Sequence, residues 1–301
     1  MVRQRDVAPD VAIVVDSSSC LPPGLASKWN ITVVPHELII GDRSFRDGVD
    51  IQPSDFYRLL RQGEAVPTTA APRPQEFLEA FSAAGKHCRN ILCLTLSASF
   101  SVTYRSALAA VEQANGKLPG SRVEVIDSRA AAGASGLIAL AAARWAREGH
   151  DLDQVVTRVN ALLPKVNLIA FLETLYYLRR SGRVSMIKAW TGSILGIRPL
   201  TELHMGEAKV LELPRSRARA TKRMLELMRE RVGQAPVLVN VLEADSPEDA
   251  LDLRSRIEAE FNCRELFISQ FTPVMGAHTG PGLLGVAFYV DEGEWEPAPP
   301  A

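Results

Sequence analysis

The feature that most constrains the fold is the alternation of short apolar runs with helical patterns through the first half of the chain. Val11–Val15, Asn90–Leu96 and Arg122–Ile126 have the composition of buried strands, and segments with helical spacing of apolar residues follow them. Neighbouring parallel strands need a long crossover connection, which is usually a helix. The alternation therefore predicts a mostly parallel sheet flanked by helices, in an α/β fold.

Further elements are predicted in the same half. A second strand is expected over Ile31–Ile40, and a helix is expected to begin at Pro53 with Ser54 as its N-cap. Two more helices are expected over Gln75–Ala84 and Ala130–Glu148.

The second half differs in character and predicts a second, smaller α/β domain. Met205-Gly206-Glu207 lies between two strand-like runs and is a hairpin signal, and a basic helix is expected over Ser216–Arg231. We place the N-terminal domain at residues 8–162 and the C-terminal domain at residues 163–292.

Composition excludes several classes of function. A net charge of −1 gives no basic excess for a nucleic-acid-binding surface. The four cysteines form no CxxC pair and the five histidines show no HxH or HxxxH spacing, so neither a metal site nor another cofactor is expected. No apolar run reaches the ~20 residues that span a bilayer, and the start has no apolar signal region. We expect a soluble, cytoplasmic protein.

Three of the predicted buried strands end in Ser or Asp. In a parallel sheet the carboxyl ends of the strands meet at one edge, where ligands bind. The polar residues at these ends are Asp16, Ser17, Ser97, Ser101, Asp127 and Ser128. They are candidates for a functional site, although Asp127 and Ser128 could merely cap the helices that follow.

A late glycine-rich stretch, residues 275–289, carries a single histidine. Gly276, Gly280 and Gly282 permit positive φ and close backbone approach, so we expect a loop that leads into a buried strand. His278 lies in this loop, where it can be pressed against a ligand. The alternative is an ordinary turn before a strand, with an incidental histidine.

Two hydroxyl-bearing segments could supply hydrogen-bond donors. The prolines of residues 66–74 predict an extended, irregular loop whose polar groups are the hydroxyls of Thr68 and Thr69, but an ordinary proline-rich linker has the same composition. Residues 99–104 form a strand-to-helix junction, where unpaired N–H groups and a serine hydroxyl favour an anion. Ser101 could equally be a plain N-cap there.

Taken in order, several segments resemble the DegV family of fatty-acid-binding proteins, from about residue 10 to residue 290. The segments are Asp16-Ser17, Phe45-Arg-Asp-Gly-Val-Asp-Ile51, Pro67-Thr-Thr69, Ser101-Val-Thr-Tyr104, Val125-Ile-Asp-Ser128, Tyr177-Leu-Arg-Arg-Ser-Gly-Arg-Val184 and Gly276-Ala-His-Thr-Gly-Pro-Gly282. No single motif is decisive, and their joint order and spacing carry the resemblance.

The resemblance implies two α/β domains with a long-chain fatty acid held in a tunnel between them. By position, the residues that bind its carboxylate would be Thr69, Ser101 and His278, with Thr68 and Thr103 as second choices. The residues that support them from behind would be Asp16, Ser17, Ser97 and Asp127.

The resemblance also implies a carrier without catalytic activity, which presents its fatty acid to the ATP-binding subunit of a fatty acid kinase for acyl phosphate formation. Arg183 and Arg217 would face that partner. Both belong to basic clusters, for which a solvated helix face or transient contact with an anionic membrane surface are the alternatives. The clusters are Arg179, Arg180, Arg183 and Lys188, and Arg215, Arg217, Arg219, Lys222 and Arg223.

Three motifs depart from the family's pattern. Its Thr-Thr-Ser-Gln-Pro-Ser is Thr68-Thr-Ala-Ala-Pro-Arg73 here, which removes a hydroxyl and adds a guanidinium. Its Ser-Gly-Thr-Tyr has Val102 in place of Gly, and its Gly-Gly-Arg has Ser181 in place of the first Gly. The first two changes touch the expected head-group site.

Two other functions stay open at this point. His278 could be a covalent phosphocarrier, as in phosphotransfer proteins that resemble dihydroxyacetone kinase. Ser17, Ser101 and His278 could belong to a serine hydrolase, although the chain has no Gly-x-Ser-x-Gly elbow.

Overall fold

The structure of the chain is a computed structural model that describes residues 10–63, 67–114, 120–183, 185, 187–188 and 198–293. Its strands are β1 (Val11–Asp16), β2 (Thr32–Val34), β3 (Glu37–Ile40), β4 (Arg43–Arg46), β5 (Thr68–Ala70), β6 (Asn90–Thr95), β7 (Arg122–Asp127), β8 (Asn167–Phe171), β9 (Ile187–Lys188), β10 (Leu200–His204), β11 (Glu207–Glu212), β12 (Val237–Glu243), β13 (Cys263–Gln270) and β14 (Leu284–Val290). Its helices are α1 (Pro23–Lys28), α2 (Pro53–Gln62), α3 (Pro74–Ala84), α4 (Thr103–Ala114), α5 (Ala132–Arg147), α6 (Leu152–Leu162), α7 (Tyr176–Arg180), α8 (Arg217–Val232), α9 (Pro247–Glu260) and α10 (Pro273–Thr279).

A parallel sheet in the order β2-β1-β6-β7 forms the first layer, as the alternation of strands and helices predicts. Its middle strands are buried on both faces. Val14 and Cys93 pack with Phe77 of α3 on one face, whereas Ile13 and Leu92 belong to the core that contains α5 on the other. Such strands are apolar throughout because neither face meets water.

The single strand predicted over Ile31–Ile40 is wrong, because Pro35 divides it in two. β2 pairs with β1 in the first sheet, whereas β3 belongs to a separate small sheet, where it pairs antiparallel with β4 and β5. Proline has no N–H to donate and restricts the residue before it, so it does not continue a central strand. The irregular loop predicted over residues 66–74 is also wrong in part, since Thr68–Ala70 is strand β5.

The second half of the chain builds a mixed sheet, whose order over the described residues is β13-β12-β14-β8-β10-β11-β9. The predicted hairpin is confirmed: His204 pairs with Glu207 across Met205 (φ 50°) and Gly206 (φ 77°). Two successive residues with positive φ are what a type I′ turn needs, and its twist matches that of the flanking strands.

Helix α5 joins the two large sheets. It contacts β1 and β6 of the first sheet and β8, β12 and β14 of the second, and one apolar core runs through both contacts. Gly136 makes the close approach to the first sheet possible, because a Cβ there would lie 2.8 Å from the carbonyl oxygen of Ser19. The division at 162/163 stays a prediction: the second sheet begins soon after it, but α5 shares its core with both sheets.

Most helices lie close to where the sequence places them, but the predicted N-cap Ser54 is wrong. α2 begins at Pro53 with Gln52 as its N-cap. Proline is favoured at the first helical position, where its missing N–H would have no partner within the helix. None of the helices in the described ranges has the length and apolar character that a membrane span requires.

Replacing Gly136 by Ala should lower the free energy of unfolding by about 1–3 kcal/mol, because the added methyl group overlaps a backbone oxygen that cannot move alone. Chemical denaturation measures the change. Gly24→Ala is the matched control: Gly24 is also helical, and a Cβ added there would have no atom within 4 Å. Equal stability of the two variants would contradict the close packing of α5.

Candidate functional site

A cavity of about 790 Å³ lies where the carboxyl edge of the first sheet meets the small antiparallel sheet and the second sheet. Sites for small organic ligands have volumes in this range. Its walls are mainly apolar, and they include Leu96, Leu168, Ala170, Leu172, Leu203 and Leu283. Thr69, Ser101 and His278 lie together on its lining, so the structure brings the three predicted head-group residues to one cavity.

His278 lies on a helix, and the loop predicted around it is wrong in this respect. α10 begins at Pro273 and ends before Gly280, which has a φ of 73°. Gly276 is required within the helix for close packing, since a Cβ there would lie 2.5 Å from the hydroxyl oxygen of Tyr57. The positive φ predicted for Gly280 and Gly282 is confirmed.

Thr69 and His278 form a hydrogen bond, with 2.9 Å between Oγ1 and Nε2. Thr69 belongs to β5, where pairing with Leu38 fixes its backbone. Successive side chains of a strand point to opposite faces. Thr69 therefore faces the cavity. Thr68, one of the two second choices for binding the carboxylate, is exposed and does not contribute to the cavity lining.

The imidazole of His278 is uncharged at neutral pH. Burial, together with repulsion from the nearby Arg183 and His36, lowers the pKa of His278 to about 4. Its Nδ1 is buried and has no hydrogen-bond partner among the described residues. A neutral imidazole has one donor and one acceptor nitrogen, so one of these functions is left for a ligand.

Ser101 and Thr103 form the second part of the polar end. Their hydroxyl oxygens are 2.7 Å apart, and the backbone N–H of Thr103 donates to Ser101 Oγ over 3.3 Å. Ser101 lies two residues before α4, where its hydroxyl accepts the first N–H of the helix, and it also lines the cavity. Thr103 is wholly buried behind it, at 0% exposure.

Behind Thr103 lies a buried polar network that includes two residues, His36 and Asp47, to which the sequence motifs assign no role. His36 Nε2 is 3.0 Å from Thr103 Oγ1, and His36 Nδ1 is 3.3 Å from Ser17 Oγ. Ser17 Oγ donates to Asp47 Oδ2 over 2.6 Å. His36 belongs to no metal-ligand spacing pattern in the sequence. The signal that could have found it is its position directly after Pro35, which ends β2 at the carboxyl edge of the sheet.

The remaining predicted support residues shape the loops around the cavity. Asp16 accepts a hydrogen bond from the N–H of Leu96 over 2.7 Å, which ties β1 to the end of β6. Asp127 accepts from the N–H groups of Ala98 (3.1 Å) and Arg129 (2.9 Å), so it ties the loop after β6 to the turn after β7; it does not cap the following helix, whose N-cap is Ala131. Ser97 is buried, and its Oγ accepts from the N–H of Ser99 over 3.3 Å.

The two predicted docking arginines are in different surroundings. Arg183 lines the cavity beside His278. Arg217 pairs with Glu173 and Asp249 and donates to the carbonyl oxygen of Gly282 over 2.6 Å. These contacts hold the start of α8 against the turn before β14. A guanidinium that is already paired with two carboxylates has little charge left to attract a partner.

The departures from the family's pattern lie at the edge of the cavity. Ala70 and Ala71, which stand where the family has Ser and Gln, line it. Val102 is 60% exposed, and the side chain of Arg73 is 77% exposed and paired with Glu76. Both residues are among those that line the cavity, so the added guanidinium lies at its rim, where it pairs with Glu76.

Fold and site together define an α/β protein of two large sheets and a small antiparallel one, whose cavity has mainly apolar walls and an end formed by hydroxyls and a neutral imidazole. The chain belongs to the DegV family: the family model described as "Uncharacterised protein, DegV family" matches residues 10–291. Among relatives, a DegV domain-containing protein of Streptomyces coelicolor is 36% identical over 278 residues, which are 92% of this chain and 97% of that protein. One of Caldanaerobacter subterraneus subsp. tengcongensis is 33% identical over 279 residues, with 92% and 98% covered.

Solved structures show the same fold. The chain resembles a DegV family protein of Thermus thermophilus, whose structure is described as fatty acid binding, with a TM-score of 0.85 and 28% identity over 93% of this chain and 99% of that one. It also resembles DegV of Bacillus subtilis, described as a fatty acid binding protein, with a TM-score of 0.86 and 25% identity over 94% and 100% of the two chains. The expected family and fold class are thus confirmed.

The charge state of His278 gives a direct prediction. Its pKa of about 4 means that the unfolded state binds more protons between about pH 6.5 and pH 4, so acidification through this window destabilises the fold. We expect an NMR titration of the imidazole to give this low pKa, and Arg183→Gln to raise it because a nearby positive charge is removed. Arg89→Gln, before the amino end of β6, should leave it unchanged. An ordinary pKa in the wild type would contradict the burial of the ring.

Proposed function

We propose that this chain binds a long-chain fatty acid, with its acyl chain in the cavity and its carboxylate at Thr69, Ser101 and His278. The observation that carries the proposal is the combination of apolar walls with a compact polar end in one cavity of about 790 Å³. The fatty acid binding described for the Thermus thermophilus and Bacillus subtilis proteins supports it.

The apolar walls supply the affinity. Each buried CH₂ group contributes roughly 0.8 kcal/mol, so an acyl chain of about fifteen methylenes contributes on the order of 12 kcal/mol before the costs of ordering. Because this contribution does not depend on the head group, the polar end decides which class of amphipathic ligand is retained.

The polar end suits a carboxylate because it provides donors without a fixed charge in direct contact. A carboxylate taken out of water is very unfavourable unless hydrogen bonds replace its hydration. If Thr69 donates to His278 Nε2, the Nδ1–H is free for the ligand; in the other tautomer, the Thr69 hydroxyl is free. Either arrangement supplies one donor, and Ser101 supplies a second.

The chain acts as a carrier that presents the carboxylate to the ATP-binding subunit of a fatty acid kinase in the cytoplasm. Neutral donors favour this role, since a carboxylate paired directly with a guanidinium would be a weaker nucleophile toward phosphate. Arg183, at the cavity lining, is the better candidate for contact with the kinase or its phosphates, because the guanidinium of Arg217 is engaged within the chain.

The geometry favours this carrier over the other two functions. A phosphocarrier needs a histidine that a phosphodonor can approach, but His278 lies on the lining of a mainly apolar cavity with Nε2 bonded to Thr69. A hydrolase needs a serine activated by a histidine. The hydroxyl of Ser17 is buried and donates to Asp47, and Ser101 bonds to Thr103 instead of a histidine.

Replacing Thr69 by Val together with Ser101 by Ala should weaken fatty-acid binding by about 100-fold or more, because each of the two lost hydrogen bonds to a charged group contributes about 1.5–3 kcal/mol. Displacement of a fluorescent fatty acid measures the affinity, and solvent extraction with mass spectrometry identifies the retained lipid. Thr68→Val is the matched control, since the side chain of Thr68 is exposed on the other face of β5. Normal binding by the double variant would contradict the site.

Arg183→Gln should slow acyl phosphate formation several-fold in the presence of a fatty acid kinase subunit and ATP, because a positive charge at the phosphoryl-transfer site is lost. Fatty-acid affinity should change less than about threefold. Arg89→Gln, an equal change of charge at the opposite edge of the first sheet, should leave the rate unchanged. A parallel loss of rate and affinity in Arg183→Gln would reject the docking role.

A further inference from the structure

A buried chain of hydrogen bonds behind the polar end of the cavity has no part in the proposed function so far. It runs from Asp47 through Ser17 and His36 to Thr103 and Ser101, and we call it the buried relay. Its first four members are between 0% and 5% exposed, whereas Ser101 opens onto the cavity. A change at the inner end can therefore reach a ligand only through Thr103 and Ser101.

The inner end of the buried relay determines the proton on His36 Nδ1. Ser17 Oγ donates its single proton to Asp47 and also accepts the backbone N–H of His36 over 3.0 Å. It can thus only accept from Nδ1, which lies 3.3 Å away. Asp16 Oδ1, an acceptor as well, lies 3.7 Å from the same nitrogen. Both neighbours require a proton on Nδ1.

The charges around His36 favour a second ring proton, on Nε2. Asp16 and Asp47 are 1% and 2% exposed, and within the described ranges no Lys or Arg pairs with either of them. Asp16 accepts hydrogen bonds from the N–H groups of Ser18 and Leu96, so both of its carboxyl oxygens have donors. His278, which faces His36 from α10, is neutral. The ring of His36, whose Nδ1 lies 3.7 Å from Asp16 Oδ1, is the positive partner that the surroundings offer to this carboxyl group.

A proton on Nε2 gives the outer half of the buried relay one direction. His36 then donates to Thr103 Oγ1 over 3.0 Å, and Thr103 must donate to Ser101 Oγ over 2.7 Å. Ser101 Oγ also accepts the N–H of Thr103, so its own hydroxyl proton can only point into the cavity. Without a donor at Nε2 the direction can reverse, and Ser101 then offers a lone pair.

We propose that His36 is a positioning residue, which fixes the buried relay so that Ser101 presents a proton to the ligand and thereby selects an ionised carboxylate over a neutral head group. The inference rests on the proposed function, because it places the ligand's head group at Ser101. An alcohol can both donate and accept a hydrogen bond, so it tolerates either direction of the relay. A carboxylate only accepts and tolerates one.

The test compares the affinities for decanoate and decanol, which share a chain length and differ in head group. In His36→Leu, the preference for decanoate should fall about tenfold while decanol affinity stays within about twofold. His36→Gln should restore the preference to within about threefold, because the glutamine amide can donate to Thr103 from a similar position. In the wild type, ¹⁵N NMR of the ring should show both nitrogens of His36 protonated with decanoate bound.

Three results would overturn the role proposed for His36. An unchanged preference in His36→Leu, an equal loss of both ligands, or an unprotonated Nε2 in the wild type would each overturn the inference. If His36→Leu does not fold, His36→Asn takes its place, since the shorter amide keeps polarity but does not reach Thr103; equal preferences in His36→Asn and His36→Gln then overturn it. Failure of the proposed function is distinguished by the wild type, which would bind neither ligand.

Discussion

The hydrogen bond between Thr69 and His278 is the contact on which the site depends. It joins residues 209 positions apart and closes the polar end of the cavity. Each partner is held by its own local structure: β5 pairs with β3, and α10 packs closely on Tyr57 through Gly276. Because burial keeps the imidazole uncharged, this hydrogen bond brings no positive charge of its own to the polar end, and Arg183 supplies the positive charge beside it.

The same hydrogen bonds that hold the elements together support this site. Asp16 links β1 to the end of β6 through the N–H of Leu96, and Asp47 links the turn after β4 to α10 through the N–H of Val274. Both carboxylates then contact the pair formed by Ser17 and His36. Buried carboxyl groups need hydrogen-bond partners to be compatible with folding. One network meets this need and also positions the hydroxyls at the polar end of the cavity.

The departures from the family's pattern leave the polar end intact. Val102 replaces a glycine, but its side chain is 60% exposed at the rim and does not displace Ser101 or Thr103. Arg73 adds a guanidinium that pairs with Glu76 on the outside of α3. What changes is the wall, where Ala70 and Ala71 make the cavity less polar next to Thr69. The hydrogen bonds among Thr69, His278, Ser101 and Thr103 are thus kept, and the departures alter the neighbouring surface of the cavity.

Sequence patterns alone predicted the parallel layer and the hairpin at Met205-Gly206, and they selected Thr69, Ser101 and His278, which the structure brings to one cavity. Apolar periodicity, turn residues that favour positive φ and the order of the motifs can be read from the residue types alone, without knowing which residues are in contact in the fold. Only the tertiary structure decided that residues 273–279 are helical, that Thr68 faces away from the cavity, that Arg217 is engaged within the chain and that His36 lies behind Thr103. These features depend on contacts between residues distant in the chain, and such contacts leave no pattern in the neighbouring residues.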